Sequence, residues 1–161
     1  MLRLVSVVLA LAPLPALALS CMPHGVPDAY LDAAGAEEGY VPVLGKLTFD
    51  ASALPQVDWD NQQDVPGVTL IPARFEGEAL TVRGVAQPFE TDVVLEVQCF
   101  GPWCPRPDPG AMLGFLRKTS HSYVLHTNAC GGYLFGNPTQ EQVGQMKDCL
   151  AGRRCTPSAP R

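Results

Sequence analysis

The sequence predicts a mainly β domain: five or six short strands closing into a barrel, with a short helix before them, a longer helix after them and disulfide staples. Three observations carry this expectation. Runs rich in β-branched residues alternate in and out and are separated by Gly, Pro and Asp turns. Only one segment, 139–150, has clear helical spacing. Six cysteines follow an apolar leader. So few short antiparallel strands protect their edges more readily in a barrel than in a sandwich.

Residues 1–18 read as a secretory signal. Arg3 is the only charge before His24, residues 4–19 form an apolar run, and Ala16 and Ala18 supply the small residues before the cut. A cut after Ser20 is the alternative. A membrane span needs about 20 apolar residues without helix breakers, and Pro13 and Pro15 interrupt this run. Leu19-Ser20-Cys21 is close to the end of a bacterial lipobox, but Ala18 stands where Leu is usual. A lipid on Cys21 would also leave an odd number of thiols, so a lipid anchor there is the disfavoured reading. The expected location is secreted or periplasmic. Removing 18 of the 161 residues takes Arg3 and moves the net charge from −5 to −6. A domain of this length buries roughly two thirds of its unfolded surface, so disulfides add to a core that already works.

Residues 27–34 form a short helical candidate closed by Gly35. Residues 40–49 carry Val41, Val43, Leu44, Leu47 and Phe49, a strand in which Gly45 suggests a bulge or bend. A long polar loop over 50–67 follows, with Pro55, Pro66 and an acidic cluster from Asp58 to Asp64. Residues 68–75 and 79–85 read as two strands around Glu76-Gly77-Glu78. In 92–100, Val93, Leu95 and Val97 face one way and Val94, Glu96 and Gln98 the other. Residues 112–116 and 122–127 suggest a hairpin across 118–121. The helix over 139–150 places Val143, Met146, Cys149 and Leu150 on one face, entered through Asn137-Pro138-Thr139. The domain should end near Cys155, because 156–161 has no apolar side chain able to dock and reads as a disordered tail.

Six cysteines allow 15 pairings; spacing narrows them. Cys99 and Cys104 flank a Gly-Pro turn, which brings them together cheaply. Cys149 and Cys155 bracket a helix end at Gly152, and that leaves Cys21 with Cys130. A thioredoxin-like dithiol would need Cys-x-x-Cys at a helix start, whereas four residues separate Cys99 from Cys104 and prolines follow.

An acidic chain with three lysines makes a poor partner for phosphate backbones, which excludes nucleic acid. The three histidines, His24, His121 and His126, lack metal-site spacing, and the last two project to opposite faces of a regular strand. Asp58-x-Asp60-x-Gln62-x-Asp64 alternates oxygens as a calcium loop does, but Gln63 replaces the required Gly and Thr69 the closing Glu. There is no Gly-x-Ser-x-Gly, and Glu76 with Glu78 read as solvating a turn. No catalytic residue, metal or cofactor is expected. A histidine hydrogen-bonded to a buried carboxylate at the mouth of a cleft would reverse that expectation. Trp59 and Trp103 lie in loops, where an indole either anchors a partner or caps the barrel end.

An N-terminal Cys21, the pattern from Asp92 to Cys99, Tyr123-Val-Leu-His-Thr-Asn-Ala-Cys130-Gly-Gly, and a closing helix carrying Cys149 together resemble the netrin-like module. That module is the OB-fold barrel shared by tissue inhibitors of metalloproteinases, complement C-terminal domains and exported bacterial proteins. The resemblance spans most of the mature chain and implies a five-stranded OB-like barrel with flanking helices. It also implies an exported, non-enzymatic binding or scaffold domain whose ligand is an unidentified protein or small molecule. In the inhibitors, the amine and carbonyl of a mature N-terminal Cys chelate the protease zinc. Here that requires cleavage after Ser20, and Pro23 stands where those inhibitors carry a second Cys.

All six thiols should be oxidised in the exported protein. Mass spectrometry of the intact chain, alkylated without reduction, should show no adduct, and two or more labels would restore the dithiol and metal readings.

Overall fold

A computed structural model describes residues 19–82 and 86–158. Its elements run α1 (Val26–Gly35), β1 (Tyr40–Phe49), β2 (Val68–Leu80), β3 (Ala86–Gln98), β4 (Gly110–Lys118), β5 (Tyr123–Asn128), β6 (Gly131–Gly132), β7 (Leu134–Gly136) and α2 (Gln140–Leu150). The architecture is mainly β with two helices and three disulfides, as expected. The segment 1–18 expected to be a signal lies outside the described residues.

All seven described strands belong to one sheet, ordered β6-β5-β3-β2-β1-β4-β7, with β5 also pairing to β4. That is more than the five or six expected, because β6 and β7 are too short to leave a periodic signal. β2 and β3 form one long hairpin in continuous register from Val68↔Gln98 to Leu80↔Ala86. The two strands expected around Glu76-Gly77-Glu78 are therefore a single strand; residues 83–85 of the second lie outside the described residues. The hairpin expected between β4 and β5 is only two residue pairs long, Arg117↔Val124 and Lys118↔Tyr123. β5 instead runs parallel to β3, from Val93↔Tyr123 to Gln98↔Asn128.

Two hydrophobic clusters follow from the alternation. Val43, Leu47, Ile71, Phe75, Leu95, Val97, Met112, Leu116 and Leu125 form one buried cluster. The opposite face of β4 gives Leu113 and Phe115 to a second cluster with Val26 and Ala29 of α1 and Met146 and Leu150 of α2. This double burial explains why Met112–Leu116 is apolar without alternation. α2 opens on a capping box, in which the Gln142 N–H donates to Thr139 Oγ1 (3.2 Å) and the Thr139 N–H to Gln142 Oε1 (2.9 Å). In α1 the Asp28 carboxylate accepts the Gly25 N–H (2.8 Å) and the Ser158 N–H (3.1 Å to each oxygen), which fastens the end of the described chain. Burial pushes the Asp28 carboxyl up, but these donors outweigh it and hold it below its usual range.

Gly45 makes no bulge. It pairs in unbroken register with Gly77, and the Phe75 ring fills the space that the two missing side chains leave. A Cβ on Gly45 would overlap the Glu76 carbonyl oxygen and stand 2.7 Å from Gly77 Cα and 2.9 Å from Phe75 Cζ. Gly45→Ala should therefore cost about 1–3 kcal/mol in urea unfolding. Gly144→Ala, in α2 with nothing within 4 Å of the new carbon, should instead stabilise by about 0.5–1 kcal/mol. Equal effects at the two positions would mean that the close strand crossing is not the constraint.

Candidate functional site

The structure pairs Cys21 with Cys130, Cys99 with Cys104 and Cys149 with Cys155, the connectivity that spacing favours. The Cys99–Cys104 bridge closes a turn just beyond β3. Inside it Phe100 and Trp103 exchange backbone hydrogen bonds of 2.9 and 3.3 Å. Gly101 takes the left-handed φ of +60° that a two-residue turn demands. Pro102 is buried and the Trp103 indole is left 39% exposed.

Trp59 reaches the same end from the 50–67 loop. Asp58 organises that loop, accepting the Asp60 N–H (2.9 Å) and the Asn61 Nδ2 amide (2.8 Å). Its carboxyl is held below the usual range by the Asn61 side chain first and the Asp60 amide second. Both carboxylate oxygens thus serve an Asx turn, and among the described residues no group of three or more His, Cys, Asp or Glu is placed to hold a metal. The turn leaves Trp59 64% exposed. Trp59 and Trp103 line one concavity of about 340 Å³ together with Val57, Pro102, Arg106 and Leu19. Sequence reasoning named both indoles but could not tell that they share a site.

A second concavity, of about 350 Å³, lies along the strap that follows Cys21 and includes His24, Asp32, His126, Asn128 and Tyr133. Sequence reasoning missed its central network. Parallel register sets Glu96 beside His126, and His126 Nδ1 lies 2.8 Å from Glu96 Oε1. On the other side, Asn128 Oδ1 accepts the Cys130 N–H (2.8 Å), which turns Asn128 Nδ2 toward His126 Nε2 (3.3 Å). The network assigns the neutral ring its proton on Nδ1, with the Nε2 lone pair taken by Asn128.

This meets part of the condition set for a catalytic reading. A histidine does hold a carboxylate beside a concavity, but Glu96 is only partly buried and also faces Arg117 at 3.8 Å. The ring nitrogen that a general base needs is engaged. The Tyr133 phenol is held well above its ordinary range by burial and by its hydrogen bond with Tyr40, which keeps it protonated. His24 Nε2 lies 3.0 Å from the Gly132 carbonyl oxygen, and His121 is exposed in the β4–β5 turn beside Ser120 Oγ (2.6 Å). Glu76 shares Arg74 with Glu90 and Asp92 on the sheet surface.

No family model, curated protein or solved structure matches this chain.

Asn128→Ala should cost about 1–2 kcal/mol in urea unfolding, because it strips the acceptor from the Cys130 N–H. Long-range ¹H–¹⁵N correlation spectra at a pH where the ring is neutral should show the Nδ1–H tautomer of His126. The Nε2–H tautomer would free the network from this assignment and reopen the catalytic reading.

Proposed function

We propose that this protein is an exported, non-enzymatic binding domain of netrin-like type, an OB-like barrel that grips a partner at its Trp59–Trp103 end. Support for the barrel comes from the pairing itself. β1 pairs β2, β2 pairs β3, β3 pairs β5, β5 pairs β4 and β4 pairs β1, so the chain of neighbours returns to its start. The observation that carries the functional reading is the meeting of two exposed indoles and Arg106 in one concavity, from loops remote in sequence. Tryptophan and arginine are the residues that most often supply binding energy at protein interfaces. A domain core offers no reason to hold both indoles in water. Three disulfides suit an oxidising compartment, and among the described residues no helix is long and apolar enough to cross a membrane. The Cys21 sulfur, which a lipid would need, is joined to Cys130.

One observation keeps protease inhibition through the N-terminus as the second reading. Leu19 lines the tryptophan concavity and Cys21 is tied beside it, so a mature chain starting at Cys21 would present its amine at this end. N-terminal sequencing of the exported protein separates the two: a start at Cys21 supports the inhibitor, a start at Leu19 the simple binding domain.

A photocrosslinking residue in place of Arg106, used in the exporting cell, should give one dominant adduct. Trp59→Ala or Trp103→Ala should each weaken binding of the captured partner by about 2 kcal/mol, roughly thirtyfold in Kd. Adducts that are diffuse and indifferent to both substitutions would remove the site.

A further inference from the structure

We infer that the upstream edge of β2 is a second docking site, which takes an extended peptide as an added strand. The inference stands on residues remote from the tryptophan concavity and does not depend on that site. β2 starts at Val68, but its pairing to β1 starts only at Ala73, opposite Phe49. β1 stops there because Asp50 turns the chain away, its carboxylate accepting the Ser52 N–H (2.9 Å) and Oγ–H (2.7 Å) to start a single 3-10 turn, Ala51–Ala53. The loop that follows makes its backbone hydrogen bonds within itself, Leu54 to Ala51, Asn61 to Asp58 and Asp64 to Asn61, until Gly67 meets the end of β3.

The hydrogen-bond phase of the hairpin decides which backbone groups this leaves open. The Cys99 N–H donates to the Gly67 carbonyl (3.0 Å), so alternate residues Thr69 and Ile71 exchange bonds with β3. Val68 and Leu70 therefore aim their backbone groups at the position that β1 has vacated, beyond Pro72, which still faces Asp50. Two N–H donors and two carbonyls stand in a row, the template that strand addition uses. The side chains agree: Val68 is 51% and Leu70 61% exposed, large apolar groups held in water on a strand edge. Leu70, Pro72 and Val94 floor a hollow of about 640 Å³ whose far end holds Arg74, Asp92 and Ser122.

Charge at that end selects the occupant. Arg74 lies 3.5 Å from Glu76, 3.5 Å from Glu90 and 3.0 Å from Asp92, and exposed Lys46 stands opposite Glu76 in register, so two cations meet three carboxylates. The surplus is negative, so the partner is an extended segment with apolar side chains at every second position and a lysine or arginine at the end that meets Asp92. A two-residue repeat of about 6.7 Å in the peptide matches the spacing of Val68, Leu70 and Pro72.

The test uses the full oxidised chain and two fluorescein-labelled peptides of alternating valine and threonine, one beginning and one ending in two lysines, of which the tighter is carried forward. Binding should saturate and weaken with salt, and the Leu70 amide should exchange at least tenfold more slowly in the complex. N-methylation of alternate peptide amides, or Leu70→Pro, should weaken binding at least tenfold. Glu90→Gln with Asp92→Asn should weaken it several-fold and flatten the salt dependence. Trp59→Ala should leave it unchanged, which separates this edge from the tryptophan site. Absent saturation, or equal binding of the N-methylated peptide, would overturn the inference. So would light scattering that shows a dimer in which the Leu70 amide is already protected, because a second copy would then own the edge.

Discussion

The parallel pairing of β3 with β5 is the constraint from which the rest of the molecule follows. Parallel neighbours cannot be joined by a tight turn, so residues 99–122 must leave the end of β3, travel the length of the molecule and return. β4 is that return path, and it crosses to pair with β1 while touching β5 at only two positions. Parallel strands also end side by side. Gln98 faces Asn128, so the segments beginning at Cys99 and Ala129 emerge together. The Trp103 turn, the Cys130 anchor and the strap from Cys21 consequently share one end of the fold, and His126 finds Glu96 for the same reason.

The second consequence is a strand buried on both faces. β4 gives Met112 and Leu116 to one hydrophobic cluster and Leu113 and Phe115 to the other, where α1 and α2 cover it. Tyr133 rings out the boundary, with its centroid 4.9 Å from Tyr40, 6.0 Å from Phe115 and 6.4 Å from His126. The two helices thus form no layer of their own. They complete the burial of a strand that the sheet alone would leave wet on one side.

What the sequence made legible was local, and what it hid was pairing. β1 emerges with the bounds that its composition suggests, α2 behind its Asn137-Pro138-Thr139 entry, and the in–out alternation of β3 as read. Glu76-Gly77-Glu78 looked like a turn because Gly flanked by two carboxylates is turn chemistry. It is strand because Gly77 meets Gly45 under the Phe75 ring, a long-range contact with no local signature. The parallel β3–β5 pairing was equally silent, since a strand's own pattern says nothing of its neighbour's direction. With it went the Glu96–His126 contact. The indoles were legible as loop residues, but their shared concavity depends on where two loops end, which is again a matter of pairing.

The disulfides separate stability from presentation. In the chain-entropy model, the stabilisation grows with the logarithm of the loop closed. For separations of 109 and 5 residues it gives roughly 5 kcal/mol for Cys21–Cys130 but only about 2 for Cys99–Cys104. A core of this size has less need of the second contribution than of the first. What the short bridge does fix is a conformation. It clamps the turn in which the Phe100 and Trp103 backbones pair, on the exposed side of a buried Cys99, and so fixes the backbone from which the indole projects. Ordering a loop before binding removes that cost from the encounter. The Asx turn at Asp58 performs the same service for Trp59 with hydrogen bonds instead of a covalent bond. Two independent devices thus order the backbone under two exposed tryptophans at one end of the fold, which is the arrangement that the proposed binding surface calls for.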